Sequence, residues 1–544
     1  MAAILTRTYS WFDRTILELG REVRISYLPP LMVYLAYGIS TLSAIVGTFF
    51  VKDYLGLSAE FLAALGFWVG IPWVLKMPLG HLVDLIWRYK SALVFLGAGF
   101  IAASLAIMIG LIGYTDDMRA VMPAGAWFVL SALLAPVGYV VQDVVADALT
   151  VEAVPRVDGA GRPLDPEVRR LMHTTMQTLG RVAVIGGGVA VALVNVYLFS
   201  GVEAMSTDQK AAIYLQIYRL ALVIPVVSVL GVALGGYLKA RDIRRLRDRG
   251  YELAEARNLI EGRSEPTEPN WWILGGSLAF AAFTIGMGLG DFPFNQEIIF
   301  IGSMSIVIFL MWRLLQVLEP EARRTLVGTA VIIFAYRAIT NPGAGATWWT
   351  IDELGFDQQF LSVLALIAAG LTLFGMLMFR RFLAEKSIAH IVVILTIASA
   401  LLTLPIVGMY YGVHEWTAAH TGGVVDARFI AIVDAALDSP LGQIAMIPML
   451  AWIANSAPEN LKATFFAVMA SFANLALSAS MLGTKYVNKI FTVTREVTDL
   501  DTGMITIPAD YSELGMLLVT VSVITIVLPI TAIVVVRWLR LSSA

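Results

Sequence analysis

The feature that most narrows the choice of fold is a series of apolar windows, each about 20 residues long, recurring from residue 31 to residue 536. A helix rises about 1.5 Å per residue, so about 20 residues cross a hydrocarbon layer about 30 Å thick. Fourteen windows are present: Leu31–Lys52, Leu62–Leu82, Leu93–Tyr114, Met122–Asp143, Met176–Leu198, Ile217–Leu238, Trp271–Asp291, Gln296–Leu318, Leu326–Gly345, Gln359–Phe379, His390–Gly412, Phe429–Ile453, Ala463–Gly483 and Met516–Val536. Of the 544 residues, 58% are hydrophobic and 15% charged, with mean hydropathy +0.77. Soluble domains average roughly 45–50% apolar and 25% charged. The expected class is an all-α polytopic membrane protein embedded in the cell inner (plasma) membrane.

Lys and Arg set the orientation. With both termini cytoplasmic, the inward segments hold Arg88 and Lys90, then Arg156, Arg162, Arg169 and Arg170, then the Arg-rich stretch from Lys239 to Asn270. Arg323, Arg324, Arg380, Arg381, Lys386, Lys462, Arg537 and Arg540 follow on the same side. The inward excess is roughly threefold, as the positive-inside rule requires. Residues 1–30 carry four Arg among Trp11, Phe12, Ile16 and Leu17, without the compact apolar run of a cleavable signal. They are expected to form an amphipathic cytoplasmic stretch.

A repeat divides the chain. Phe49-Phe-Val-Lys-Asp-Tyr-Leu-Gly-Leu-Ser-Ala-Glu-Phe-Leu62 matches Trp348-Trp-Thr-Ile-Asp-Glu-Leu-Gly-Phe-Asp-Gln-Gln-Phe-Leu361 in its aromatic pair, Asp, Leu-Gly and Phe-Leu. Each copy joins the first and second helix of a six-helix unit. The expected plan is an N-terminal six-helix half (31–238), a cytoplasmic linker (239–270), an extra helix pair (271–318) and a C-terminal six-helix half (319–544). Parallel halves of this kind build the major facilitator fold, with the solute site between them near the midplane.

Several ionisable residues fall inside the windows, where they are costly and usually functional. Lys76, between Pro72 and Pro78, lies about two turns inside Asp84. It either faces a polar interior or snorkels to the cytoplasmic surface. Asp84 and Arg88 form either a conformational latch or an interfacial anchor. Asp143 and Asp147 share a helix face, with Glu152 beyond them. Two adjacent carboxylates in low dielectric cannot both ionise cheaply, so they either handle protons or pair with Lys76, Arg88 or Arg181. His173, Gln177 and Arg181 form a polar stripe ahead of Gly186-Gly-Gly188, whose glycines allow close helix approach. Arg181 stays charged and needs an anion, from either the protein or a solute. Arg337 precedes Asn341-Pro-Gly343. Asp291, Asp434 and Asp438 are secondary candidates.

Other chemistries find little support. Cys is absent, and the five His lack metal-ligand spacing. No phosphate-binding glycine loop follows a strand, and the net charge of −3 does not suit a nucleic-acid partner. No enzyme activity, cofactor or metal is expected.

Three segments carry a family resemblance. Phe50-Val-Lys-Asp-Tyr-Leu-Gly-Leu-Ser58 leads to Pro72-Trp-Val-Leu-Lys76, Pro78-Leu-Gly80 and Asp84. Asp143-Val-Val-Ala-Asp147-Ala-Leu-Thr-Val-Glu152 is the second, and Ala463-Thr-Phe-Phe-Ala467 with Ser471 and Asn474 is the third. Together they resemble the folate–biopterin transporter family, and the Gln142-Asp143…Asp147-Ala148 stretch also resembles muropeptide permeases, more distant relatives. The resemblance implies uptake or exchange of a pterin-containing anionic solute, coupled to protons as in a symporter; the chain is expected to act as a monomer. Lys76 and Arg181 would be anion contacts, Asp143 and Asp147 proton or gating acids, and Asp84 with Arg88 the latch. A peptide permease and a non-transporting membrane assembly factor of the same fold are the alternatives.

Overall fold

Hydrocarbon offers no water to backbone amides, so an apolar window in a bilayer closes its hydrogen bonds within itself, as helix. The computed structural model describes residues 18–541 except 22, 56, 75, 156–163, 262–268, 270, 290–291, 317, 379–387, 439–461 and 499–504. Among the described residues, ten helical runs are long and apolar enough to cross a membrane. The described parts of the windows near Trp271, Leu326, Phe429 and Ala463 are helical as well.

The first window is broken. Helix α1 (Leu28–Gly38) passes through a 3-10 segment, Ile39–Ser43, into α2 (Ala44–Tyr54). Then come α3 (Ala59–Val74), α4 (Lys76–Leu85), α5 (Ser91–Gly113), α6 (Ala124–Ala153) and α7 (Pro166–Leu198). After α8 (Thr207–Ala221), α9 (Val223–Asp248) extends ten residues past Leu238 into the linker, and a short helix, Leu253–Glu261, follows. Next are α10 (Trp271–Leu289) and α11 (Asn295–Leu315), then α12 (Pro320–Arg337) and α13 (Ala344–Asp352), separated by a second break. In the register that sets Phe49 against Trp348, Ile39–Ser43 falls opposite 338–342, so the two breaks coincide. Helices α14 (Gln358–Met378), α15 (Ile388–Leu402), α16 (Ala427–Asp438) and α17 (Lys462–Ile490) complete the apolar series with α18 (Leu514–Trp538). Ahead of α18, strands β1 (Val497–Thr498) and β2 (Ile505–Ile507) pair antiparallel.

The N-terminal helices meet the C-terminal ones along two seams, α3 against α17 and α7 against α14. The first seam is apolar, with Phe67, Ile71 and Val74 packed in one core with Phe472, Leu475 and Leu482. Helices α10 and α11 pack on each other, α11 against α17 and α10 against α4, so the pair lies along this seam.

Glycine sets the closest approach, between α1 and α7. A Cβ on Gly187 would sit 2.8 Å from the Gly38 carbonyl carbon, whereas one on Gly186 would meet nothing within 4 Å. Backbone cannot yield as a side-chain tip can, so a side chain at 187 forces the helices apart. We expect Gly187→Val to destabilise the folded protein by about 1–3 kcal/mol, read as a lower thermal unfolding midpoint in detergent. Gly186→Ala should be neutral or stabilising by up to about 1 kcal/mol. Equal midpoints for the two variants would contradict this packing.

Candidate functional site

Proline shapes the site first. Pro78 has no N–H, so the carbonyl of Val74, four residues earlier, loses its helical donor. The Ser471 hydroxyl of α17 donates to that carbonyl at 3.0 Å, and the Asn474 amide donates to the carbonyl of Trp73 at 3.0 Å. The turn that begins α4 is thus held by a helix from the other side of the seam, and Lys76 projects from it.

Lys76 meets two carboxylates of α6. Its Nζ lies 2.6 Å from Asp143 Oδ2 and 2.8 Å from Asp147 Oδ2. The Tyr34 hydroxyl of α1 donates to Asp147 Oδ1 at 2.6 Å. The side chains differ in access: Asp143 is 14% exposed, Lys76 21% and Asp147 42%. Lys76 therefore turns inward to an acid pair and does not snorkel. One ammonium between two carboxylates leaves a formal negative charge, which is costly at this depth unless another cation or a proton offsets it. Arg181 on α7 is near enough to act electrostatically on Asp143, Tyr34 and Tyr37. It is exposed and makes no ion pair among the described residues.

The remaining candidates are dispersed. Glu152 accepts a 2.6 Å contact from Lys90, which is 3% exposed and stacks 3.8 Å over the Trp87 ring. That pair lies within the N-terminal helices and does not bridge a seam. Arg337 is the last residue of α12, half-buried, with no carboxylate paired to it among the described residues. Asp434 is half-buried on α16. Asp291 lies outside the described residues, as do the side chains of Asp84, Arg88, His173, Gln177 and Asp438.

Sequence reasoning missed a second charged contact. Lys52 Nζ lies 2.6 Å from Asp352 Oδ1, and the Tyr511 hydroxyl donates to Asp352 Oδ2 at 2.5 Å. Lys52 and Asp352 sit in the two copies of the repeat, at the helix ends that the charge bias assigns to the outside. Nearby, the Gln358 amide donates to the Tyr214 hydroxyl at 2.7 Å and the Gly201 N–H to Gln359 Oε1 at 3.2 Å. The end of the bundle is therefore tied across both seams. The signal was in the repeat itself: both copies keep Asp, at 53 and 352, and only the first adds Lys.

Between these two charged contacts lies a cavity of about 410 Å³, lined by α2, α3 and α6 on one side and by the second break, α13 and α17 on the other. The break at 338–343 needs Gly343, whose φ is +76° and whose Cβ would meet the Asn488 amide nitrogen at 2.8 Å. Its backbone is satisfied by α17. Ser480 donates to the Ile339 carbonyl at 2.5 Å, Asn488 donates to that of Pro342 at 3.2 Å, and Thr484 Oγ1 accepts the Asn341 N–H at 3.1 Å.

The arrangement resembles solved transporters throughout its length. A nucleoside transporter, NupG, superposes with TM-score 0.53 at 13% identity, covering 94% of this chain and 99% of that one. A peptide transporter, POT, superposes with TM-score 0.58 at 14% identity, covering 95% of each chain. At such identities the likeness shows the fold alone, which is the major facilitator fold. A curated folate-biopterin transporter from Synechocystis sp. is 24% identical over 481 residues, 88% of this chain and 77% of that one. A model of the BT1 family matches residues 273–542. The match to the family over 273–542 and the similarity to that relative over most of the chain together support the folate–biopterin transporter family.

Proposed function

We propose that this protein is a proton-coupled secondary transporter of an organic anion, folate- or pterin-like, working by alternating access between its two halves. The observation that carries the reading is the placement of Lys76 between Asp143 and Asp147 with Arg181 close by. The cluster already holds two cations and two carboxylates, a formally neutral set. An anion entering alone would leave it one charge in excess, at several kcal/mol in low dielectric. Entry of a proton with the anion removes that cost. Asp147 is the more exposed acid, and its protonation frees Lys76 to turn to the solute carboxylate beside Arg181. Release of the solute returns Lys76 to both acids and expels the proton.

With the termini inside, Lys52 and Asp352 close the outer end in the state described above. Opening outward parts them and the bonds of Gln358 and Gln359. The helix pair 271–318 then follows the α3/α17 seam along which the halves rock.

Two results test the reading. In proteoliposomes, labelled folate uptake should rise about tenfold when an inward proton gradient is imposed, and Asp147→Asn should abolish that response while leaving exchange intact. Uptake indifferent to the gradient in the unmodified protein would refute proton coupling. Arg181→Gln should raise KM by roughly ten- to a hundredfold, the equivalent of one charge-assisted hydrogen bond. Its unfolding midpoint should stay unchanged, since Arg181 makes no ion pair among the described residues.

A further inference from the structure

The cavity under Lys52 and Asp352 differs in chemistry from the charged cluster. No charged side chain lines it. Its polar contributions are hydroxyls and one amide, and its walls include the aromatic side chains Phe128 and Trp348. Two of the hydroxyls have related origins. In the repeat register Thr48 falls opposite Thr347, and both line the cavity one turn or so inward of the Lys52 and Asp352 contact.

The hydrogen-bonding capacity left in the cavity is mixed. Thr48 donates to the Ala44 carbonyl at 3.1 Å, so its oxygen is left as an acceptor. Asn341 Oδ1 accepts the Gly343 N–H at 3.0 Å, so its amide NH₂ is left as a donor. Thr347 offers both. Thr484 donates to the Ser480 carbonyl and accepts from Asn341, and so serves the protein itself.

Resting on the transport reading above, we infer that this cavity receives the uncharged heterocyclic part of the solute, with Thr48, Thr347 and Asn341 as its hydrogen-bonding contacts. A ring bearing both donors and acceptors matches that set, and Phe128 gives it aromatic surface to pack on. A carboxylate meets no cation there and would exchange its hydration for at most a few neutral hydrogen bonds. At about 410 Å³ the space falls within the range of small-ligand sites. The solute therefore spans two compartments, its charged end at Lys76 and Arg181 and its neutral end beneath the outer contact.

Calorimetric binding of three probes to the purified full chain tests this. The probes are folate, biopterin (ring without carboxylates) and p-aminobenzoylglutamate (carboxylates without the bicyclic ring). Thr347→Val, which keeps shape and removes the hydroxyl, and Ala63→Phe, which fills the cavity, should each weaken folate and biopterin about tenfold. Both should leave p-aminobenzoylglutamate within about twofold. Arg181→Gln should show the opposite pattern, weakening the two carboxylate-bearing probes and sparing biopterin. If Ala63→Phe does not fold, Thr347→Val with Thr48→Val decides the matter. Unchanged folate and biopterin affinity in the cavity variants overturns the inference while leaving the Arg181 arm, and the transport reading, intact. Failure of the unmodified protein to bind any probe overturns both.

Discussion

A backbone carbonyl without a donor costs several kcal/mol in hydrocarbon, and this constraint organises the bundle. The chain leaves a carbonyl without its helical donor at Pro78 and interrupts its helices at 338–343, and then has to satisfy what it exposes. One helix does most of this. Ser471 and Asn474 of α17 serve the carbonyls of Val74 and Trp73, and Ser480, Thr484 and Asn488 serve the second break. On the other side of the bundle, the Asn195 amide of α7 donates to the Leu42 carbonyl at 3.3 Å, beside the first break. The polar side chains of α17 and α7 thus hold the irregular segments in place, and the charged cluster and the cavity are placed by those segments.

Because α3 and α17 lie on opposite sides of a seam, their bonds also tie the N-terminal helices to the C-terminal ones. Side chain to carbonyl bonds suit such a seam. They are short-range and directional, and each contributes only about 1 kcal/mol net, so they can be exchanged without a large barrier. The charged contacts act differently. Lys76 is enclosed by acids on its own side of the seam, so its ion pairs do not cross it. Lys52 and Asp352 join the two copies of the repeat, so their pairing depends on how the halves stand.

The legible part of the site was the part that burial makes conspicuous. Lys76, Asp143 and Asp147 stand out because a charge within an apolar window is rare, and the structure brings all three together. Tyr34 was not legible, since a Tyr in an apolar helix is ordinary until its hydroxyl is found 2.6 Å from Asp147. Lys52 and Asp352 were hidden for the opposite reason. They lie at helix ends, where charges are common and cheap. The polar residues of α17 were visible as letters, and Ser471 and Asn474 carried part of the family resemblance. Their role was not visible, because a carbonyl orphaned by Pro78 lies some four hundred positions away in the chain.

The sequence by itself determined that the chain crosses a membrane as helices, and where most of those helices lie. Hydropathy and helical rise are local properties, and a bilayer leaves the backbone no alternative. It also showed the repeat, since two copies of one local pattern need no knowledge of contacts. The tertiary structure alone decided which cation faces which carboxylate, that the breaks in α1/α2 and α12/α13 coincide, and that a neutral cavity separates two charged contacts. Those facts depend on side chains converging from helices far apart in the chain. A few ångströms separate a 2.6 Å ion pair from a charge facing lipid, and no local pattern encodes that distance.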